Sequence, residues 1–400
     1  MHCFRKITDD LYWVGASDRR IELFENIFPL SDGVSYNSYL LLDDKTVLFD
    51  SADYSVGRQF LENVQAALNG RSLDYLIVNH MEPDHCAMID ELVLRYPDMQ
   101  IIGNAKTFPM IDQFFNFNLE GKKVIVKEGD TFCTGKHTLH FVMAPMVHWP
   151  EVMMTYDETD KILFCADAFG TFKALNGNIF NDEVNFDRDW LDEARRYYTN
   201  IVGKYGMQVQ AVLKKAAGLD IQMLCPLHGP IWRTDLDYII GKYDKWSRYE
   251  PEEKGVMIAY ASMYGNTENM AEILAAKLAE AGVKDIRMHN ISKTHVSELI
   301  ADSFKYSHIV LAAPTYNNGI YPLMDNYLED MKALALKNRT IAVLGNGSWA
   351  PQSTKLISTK ISEMKDMSLM VAAVTIKSSV KEAQMEEIES LARQIAEEVL

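Results

Sequence analysis

The chain has 400 residues, 48% of them hydrophobic, and carries a formal net charge of −16, which argues against a nucleic-acid partner because no basic excess is available to neutralise phosphates. The length predicts two domains, and because no 18-residue apolar run and no apolar N-terminal segment is present, we expect neither a membrane span nor a secretory signal. The five cysteines have an irregular spacing and no C-x-x-C pair, so we expect a cytoplasmic protein without a four-cysteine metal centre of its own.

The first part of the chain alternates short strand-like runs with turns. These runs are NSYLLL, TVLFD, LDYLIVNH, MQIIGN, LHFVMAP and ILFCAD. A long helical pattern follows over residues 189–217 and precedes the strand-like IQMLCPLH. The mixture predicts strands grouped in sheets, with helices on the outside.

The pattern changes at RYEPEEKG, residues 248–255, a polar stretch that predicts a linker between domains spanning residues 1–250 and 254–400. After the linker, the strand candidates are VMIAYAS, DIRMHNI, SHIVLAA, TIAVLGN and LMVAAVT. Helix-like segments separate or follow them at residues 268–281, 296–300, 321–336, 353–365 and 381–399. This strict alternation predicts a parallel sheet with helices on both faces.

A dense group of metal-ligand side chains follows one buried strand, in NHMEPDHC at residues 79–86. For this motif alone, the plain alternative is a solvated loop whose Asp84 or His85 caps the next helix. Three later residues, His148, Asp167 and His228, each end another apolar run. Together the candidate ligands are too many for one metal ion and suit two; they are His80, Glu82, Asp84, His85, His148, Asp167 and His228.

The types of ligand indicate which metal ions the site could bind. Asp167, with two oxygens, is the natural bridge, and imidazole with carboxylate suits iron or manganese as well as zinc. Glu82 stands where a second histidine would complete an H-x-H-x-D-H hydrolase site. Its anionic oxygen favours a ferric ion, although the ligands alone are also compatible with zinc. Cys86 is expected to be a packing residue, since free cysteine is usually buried.

Three loops of the second part follow its first, third and fourth strands. The first lies at a helix N-terminus and could hold a phosphate, and Tyr316 and Trp349 of the others could cover a flat ring, although Trp349 could also be a core or interface residue. Ordinary strand-to-helix turns are the alternative. The candidate binding residues are Ser262, Met263, Tyr264, Gly265, Asn266, Thr267, Pro314, Thr315, Tyr316, Asn317, Asn318, Gly319, Gly345, Asn346, Gly347, Ser348, Trp349 and Ala350.

The whole sequence resembles the flavodiiron proteins, also called A-type flavoproteins. The resemblance covers essentially the full chain and rests on HMEPDH, HWP, CADAFG, LHGPIW, SMYGNT and GNGSWAP, in the family's order and spacing. It implies an α/β protein in which a metallo-β-lactamase-like αββα sandwich with two non-haem iron ions precedes a flavodoxin-like, doubly wound five-stranded parallel sheet with FMN.

The resemblance also implies roles for individual residues. His80, Glu82 and His148 would bind one iron, Asp84, His85 and His228 the other, and Asp167 would bridge them. Family members differ in whether the histidine at the position of His85 coordinates. By similarity, Tyr197 or Tyr198 and Glu25 would lie near the metals.

The implied function is reduction of O2 to water and/or of NO to N2O, with electrons relayed through FMN. Two ferrous ions and one reduced FMN hold the four electrons that O2 needs, and the ligand set fits both gases. The chain shows no rubredoxin or flavin reductase module, so an external donor such as a rubredoxin is expected. In the family, a head-to-tail homodimer, or a dimer of such dimers, brings the FMN of one subunit to the iron of the other.

Two other functions compete with this interpretation. One is a zinc-dependent hydrolase of the metallo-β-lactamase fold with an accessory flavodoxin domain. The other is a non-catalytic electron carrier with a structural first domain. Glu82 and the intact flavin loops favour the reductase over the hydrolase, and the full set of ligand positions favours it over the carrier.

Overall fold

A computed structural model describes all 400 residues and divides the chain into two compact units, Met1–Asp244 and Lys245–Leu400. The predicted limits at 250 and 254 fall a few residues after this division, and the predicted linker residues 253–255 instead begin a strand. The functional limits of the two domains stay a prediction. No helix of the structure has both the length and the apolar character needed to cross a membrane.

The first unit contains two main sheets and two small ones. Its strands are β1 Arg5–Lys6, β2 Leu11–Trp13, β3 Ala16–Asp18, β4 Leu23–Phe24, β5 Phe28–Pro29, β6 Val34–Tyr36, β7 Tyr39–Leu42, β8 Thr46–Phe49, β9 Tyr75–Ile77, β10 Gln100–Gly103, β11 Lys123–Ile125, β12 Thr131–Cys133, β13 Thr138–Met143, β14 Met153–Asp157, β15 Ile162–Phe164 and β16 Met223–Cys225. The first sheet has the order β1-β2-β7-β8-β9-β10-β11 and the second β12-β13-β14-β15-β16, while β3 pairs with β6 and β4 with β5.

The two main sheets pack face to face. Their shared core takes Phe49 and Ile77 from the first sheet and Phe141 and Phe164 from the second. The rings of Phe49 and Phe164 stack with centroids 3.7 Å apart. Truncating either buried ring to alanine would cost about 3–5 kcal/mol of stability.

Helices cover the outer faces of this sandwich. They are α1 Gly57–Leu68, α2 Pro83–Cys86, α3 Ile89–Arg95, α4 Thr107–Phe114, α5 Phe186–Asp189, α6 Leu191–Tyr197, α7 Gly206–Ala216 and α8 Leu236–Ser247. On the first sheet, α1 packs against β7. On the second, α7 lies over residues of β14 and β15. The layers are therefore helix, sheet, sheet, helix.

The helix predicted over 189–217 is interrupted. A π-helical turn spans Tyr198–Val202 and a 3₁₀ turn spans Gly203–Tyr205 before α7 begins. Two glycines, Gly203 and Gly206, weaken the helix here. The side chains of Thr199 and Asn200 also bond the carbonyl of Arg196, at 3.3 and 2.8 Å, which disturbs the regular ladder.

The second unit is a parallel sheet between helices. Its strands are β17 Glu253–Tyr260, β18 Ile286–Asn290, β19 Tyr306–Pro314, β20 Arg339–Asn346, β21 Met367–Leu369 and β22 Val374–Ile376, and its helices are α9 Asn266–Glu280, α10 Val296–Lys305, α11 Pro322–Ala333, α12 Ser353–Ser362 and α13 Glu382–Val399. The order is β18-β17-β19-β20, followed by β21 and β22, which both pair with β20. All pairs are parallel.

The fifth strand differs from the prediction. LMVAAVT was expected to be one strand, but the structure forms two short strands, β21 and β22, with residues 370–373 between them. Both pieces occupy the same edge beside β20. The sheet thus keeps five strand positions, and its carboxyl ends carry the three predicted loops.

Candidate metal centre and flavin site

The predicted metal ligands meet at one edge of the sandwich. His80 and Glu82 lie just after β9, and Asp84 and His85 lie in the short helix α2 that follows. From the second sheet, His148 follows β13, Asp167 follows β15 and His228 follows β16. Apart from Asp84 and His85, each ligand lies in a loop after a strand end, where the backbone can turn side chains out of the sheet.

The first ligand group consists of His80, Glu82, His148 and Asp167. The His148 Nε2 atom lies 2.9 Å from Glu82 Oε2 and 3.1 Å from Asp167 Oδ2. The His80 Nε2 atom lies 3.3 Å from the same Glu82 oxygen and 3.1 Å from Asp167 Oδ2. Four donor atoms therefore surround one point.

The second ligand group consists of Asp84, His85 and His228, and the other oxygen of Asp167 faces it. His85 Nε2 lies 3.1 Å from Asp167 Oδ1 and 3.2 Å from Asp84 Oδ2. His228 Nε2 lies 3.0 Å from His85 Nε2 and 3.2 Å from Asp84 Oδ2. Asp167 thus gives one carboxylate oxygen to each group.

The donor atoms fit two metal ions. Metal–ligand bonds of about 2.0–2.2 Å place neighbouring ligands roughly 3.0–3.4 Å apart, close to the separations of 2.9–3.3 Å in the two groups. Both oxygens of Asp84 and Oδ1 of Asp167 are buried without a hydrogen-bond partner, which would cost about 1–3 kcal/mol each if nothing bound them. The two facing Nε2 atoms of His85 and His228 likewise favour a cation between them.

Electrostatics in the site agree with this interpretation. Burial raises the pKa of Asp84 to about 8, and the charges of Glu82 and Asp167 act in the same direction. Burial also opposes ionisation of Asp167, but the imidazoles of His85 and His80 hold its pKa well below the usual range. Closely spaced buried carboxylates of this kind need positive charge to ionise together.

Residues outside the predicted set hold the histidines in place. The Glu151 Oε1 atom accepts hydrogen bonds from His80 Nδ1 and the backbone N–H of Met81, both at 2.8 Å. His228 Nδ1 donates to the carbonyl of Ser35 at 2.7 Å, which leaves its Nε2 lone pair facing the second group. Glu151 and Ser35 were not among the predicted residues; the only signal for Glu151 in the sequence is its place three residues after His148.

Some of the residues predicted to lie near the metals are close to the ligands, and others are not. The ring of Tyr197 lies 5.3 Å from the ring of His228, whereas the ring of Tyr198 packs against Tyr243 at 4.8 Å. Desolvation of its carboxyl, the charge of Glu82 and a hydrogen bond to Glu82 raise the pKa of Glu25 to about 8, which places the otherwise exposed Glu25 beside the first ligand group. Cys86 is buried and its thiol donates to the carbonyl of Met81 at 3.2 Å, so its expected packing role is confirmed.

The second unit contains an open pocket of about 450 Å³ at the carboxyl ends of β17, β19 and β20. The predicted binding residues line it, except Gly265, Gly319 and Gly345, which lie in the same three loops. Ser378, after β22, also lines the pocket and was missed. Its backbone N–H donates to Asn346 Oδ1 at 3.0 Å.

The pocket suits a phosphorylated flat ring. Gly265, with φ +90°, precedes the first residue of the 15-residue helix α9, whose first N–H groups lack intrahelical partners and attract an anion. At the mouth, Tyr264 is 92% and Trp349 88% exposed. Large aromatic faces left uncovered beside a pocket are well placed to cover an aromatic ligand.

Comparison with known proteins identifies the family. The model described as ODP family beta lactamase matches residues 34–229, and the flavodoxin model matches residues 258–398. The anaerobic nitric oxide reductase flavorubredoxin of Escherichia coli is 30% identical over 378 residues, covering 92% of this chain and 77% of the relative. The chain belongs to the flavodiiron protein family.

Solved structures agree over nearly the full length of this flavodiiron protein. Rubredoxin oxygen:oxidoreductase from Desulfovibrio gigas has a TM-score of 0.92 at 27% identity, covering 99% of this chain and 98% of that one. A flavoprotein from Thermotoga maritima has a TM-score of 0.90 at 26% identity, with the same two coverages.

Family membership confirms several predictions from the sequence. The fold is a metallo-β-lactamase-like domain followed by a flavodoxin-like domain. The cofactors are FMN and a non-haem di-iron centre, and the protein is an oxidoreductase, which favours the reductase over the zinc hydrolase. The coordination of iron by individual residues stays a proposal.

Proposed function

We propose that this flavodiiron protein reduces O2 to water and/or NO to N2O at its di-iron centre, with electrons relayed through FMN. The observation that carries this proposal is Asp167, whose two oxygens face two separate metal-ligand groups in a chain that also carries a flavin pocket. When bound, the two cofactors supply electrons in pairs, as both gas reductions require.

Each ligand residue has a defined part in this proposal. His80, Glu82 and His148 would hold one iron, Asp84, His85 and His228 would hold the other, and Asp167 would offer one oxygen to each. The inclusion of His85 is supported by its Nε2 atom, which lies 3.1 Å from Asp167 Oδ1. Its exposure of 1% leaves it no solvent partner.

The surrounding residues orient the ligands and exclude water. Glu151 fixes the ring of His80, and the carbonyl of Ser35 fixes the tautomer of His228. Such outer partners raise the basicity of imidazole ligands. The buried ring of Tyr197 packs against the ring of His228.

The partners are proposed from the relatives. One relative is named for rubredoxin and oxygen and another for nitric oxide. We therefore assign O2 and/or NO as the substrate and a rubredoxin-like protein as the external donor. We also propose a cytoplasmic, head-to-tail homodimer, or a dimer of such dimers, in which the FMN of one subunit serves the iron centre of the other.

Anaerobic turnover tests this function. The reduced protein, with measured iron and FMN, is mixed with O2 or NO, and consumption of each gas is followed. We expect turnover with at least one gas, and loss of iron and turnover in Asp167→Ala. Asp98→Ala, at an exposed acid, is the matched control and should keep both. A protein that oxidises with neither gas, or that holds zinc and no iron, would contradict the proposal.

A further inference from the structure

A small apolar cavity lies in the first unit, between helix α7 and the second sheet. Its volume is about 20 Å³. Met154 of β14 and Leu163 of β15 form its floor, and Val209, Val212 and Ala216 of α7 contribute to its roof. Its lining surface is entirely apolar.

The sequence pattern explains why a cavity forms here. Along β14 and β15, Met153 and Phe164 point into the core between the sheets, so Met154 and Leu163 point to the opposite face. On α7, positions 209, 212 and 216 share one face of the helix. Valine and alanine on that face are too short to fill the space above the strands.

One wall of the cavity is formed by the loops that carry two of the proposed metal ligands. Val147 and Ala168 line it, and they are the chain neighbours of His148 and Asp167, two members of the first ligand group. On the far side, Ala216 is only half-buried. The cavity therefore lies between the outer surface of α7 and the loops that carry the metal ligands.

We propose that this cavity is a binding site for a small apolar diatomic gas on its way to the first ligand group. Water needs two to four polar partners in a buried site, whereas an apolar cavity stays dry and takes up apolar atoms and molecules. O2 and NO need no hydrogen bonds, and the cavity, at about 20 Å³, exceeds the roughly 10–15 Å³ that one water-sized molecule requires. The inference rests on the proposed function, since it names the approach of that function's substrates.

Xenon binding tests the cavity site independently of catalytic activity. Crystals of the iron- and FMN-containing protein are pressurised with xenon, and we expect one xenon atom between α7 and the residues Met154 and Leu163. In Ala216→Leu, whose longer side chain fills the cavity, we expect that atom to be absent. An empty cavity in the wild-type protein under xenon would overturn the site.

Steady-state kinetics test whether the gas reaches the first ligand group through this cavity. In Ala216→Leu we expect the KM for the gas to rise roughly three- to tenfold with kcat little changed, because gas capture rather than chemistry is impaired. Ala211→Leu is the matched control, because the same change is made on the exposed face of the same helix. Iron and FMN content, measured in both variants, show whether the centre is intact.

The outcomes separate this inference from the proposed function. A wild-type protein that reduces neither gas overturns the proposed function, whatever xenon does. A wild-type protein that reduces gas but shows no xenon here overturns only the gas site. Xenon binding with an unchanged KM in an iron-replete Ala216→Leu overturns the route.

Discussion

At the residue scale, Glu151 is the clearest addition to the predicted site. Its carboxylate bonds His80 Nδ1 and the backbone of Met81, and the side chain is 1% exposed. It holds the imidazole in one tautomer and one orientation. Partners of this kind are nearly as important to metal binding as the ligands themselves.

We therefore expect Glu151→Gln to weaken iron binding by roughly 10- to 100-fold. The amide keeps the size of the side chain but loses the negative charge that raises the basicity of His80. Competition with a chelator measures the affinity. Glu158→Gln is the matched control, since Glu158 bonds His140 at 2.9 Å in a largely exposed pair that contains no proposed metal ligand. Equal iron affinity in the two variants would refute the role.

A second residue-scale prediction concerns His137, whose ring bonds Asp157 at 2.7 Å and Asp10 at 3.1 Å. Burial opposes its charge, but these hydrogen bonds outweigh burial and raise the pKa of His137 to about 9. Lys136 shares Asp10 with it, at 3.0 Å. Since an unfolded histidine has a pKa near 6.5, the stabilisation is on the order of 3 kcal/mol at low pH.

The pH dependence follows from the sign of this shift. The contribution of His137 is complete below about pH 6.5, falls as the pH rises towards 9, and is absent above that. Chemical denaturation of wild type and His137→Gln at several pH values measures it. The difference in unfolding free energy between them should shrink across this window; a difference that grows with pH would contradict the prediction.

The ligand positions could be predicted from the sequence, whereas their supports could not. HMEPDH is a local pattern, and His148, Asp167 and His228 each end a visible apolar run. Ser35, by contrast, contributes only a backbone carbonyl, and it reaches His228 across 193 positions of the chain. No local pattern encodes such a contact.

At the element scale, Arg339 ties the start of β20 to neighbouring segments. Its guanidinium is buried and donates to the carbonyls of Ser303 and Phe304, at 2.7 and 2.8 Å, and of Tyr249, at 2.7 Å. Ser303 and Phe304 lie in the last turn of α10, whose carbonyls have no intrahelical donors. The planar fork of arginine reaches several acceptors at once.

We expect Arg339→Lys to lower the free energy of unfolding of the second unit by about 2–4 kcal/mol, because a single ammonium group leaves buried carbonyls unsatisfied. Denaturant-induced FMN release and circular dichroism measure this. Arg287→Lys, at an arginine whose side chain is 60% exposed in β18 of the same sheet, should change stability little. A similar loss in both variants would show that the carbonyl contacts are not the cause.

The elements that were predicted correctly from the sequence have a strong hydrophobic periodicity or a clear termination signal. The five strand positions and five helices of the second unit follow directly from their alternation. The interruption at Tyr198–Val202 was missed because helix periodicity continues on both sides of it. The split of β21 from β22 was missed because MVAA is as apolar as the flanking strands.

At the scale of the whole molecule, the two units have separate hydrophobic cores. One core contains Phe49 and Phe164, and the other contains Ile258 and Leu391. All proposed metal ligands belong to the first unit and all flavin loops to the second. Loss of one cofactor should therefore act mainly on its own unit.

We expect removal of iron by a chelator to lower the thermal midpoint of one calorimetric transition while leaving the FMN absorbance and the second transition in place. Ion binding to the folded state stabilises it by mass action, and the buried carboxylates repel one another without the ions. Adding ferrous iron back anaerobically should restore the midpoint. If both transitions shift together, or if FMN is released, the units are not energetically separate.

The metal centre lies across the seam between the two sheets of the first unit. His80 and Glu82 come from the first sheet, and His148, Asp167 and His228 come from the second. Neither sheet alone carries a complete ligand group. During synthesis, both ligand groups can be complete only after residue 228 has left the ribosome and the two sheets have docked. Loading with two metal ions is thereby ordered in time: the scaffold of the first unit is finished first, and metal acquisition follows it.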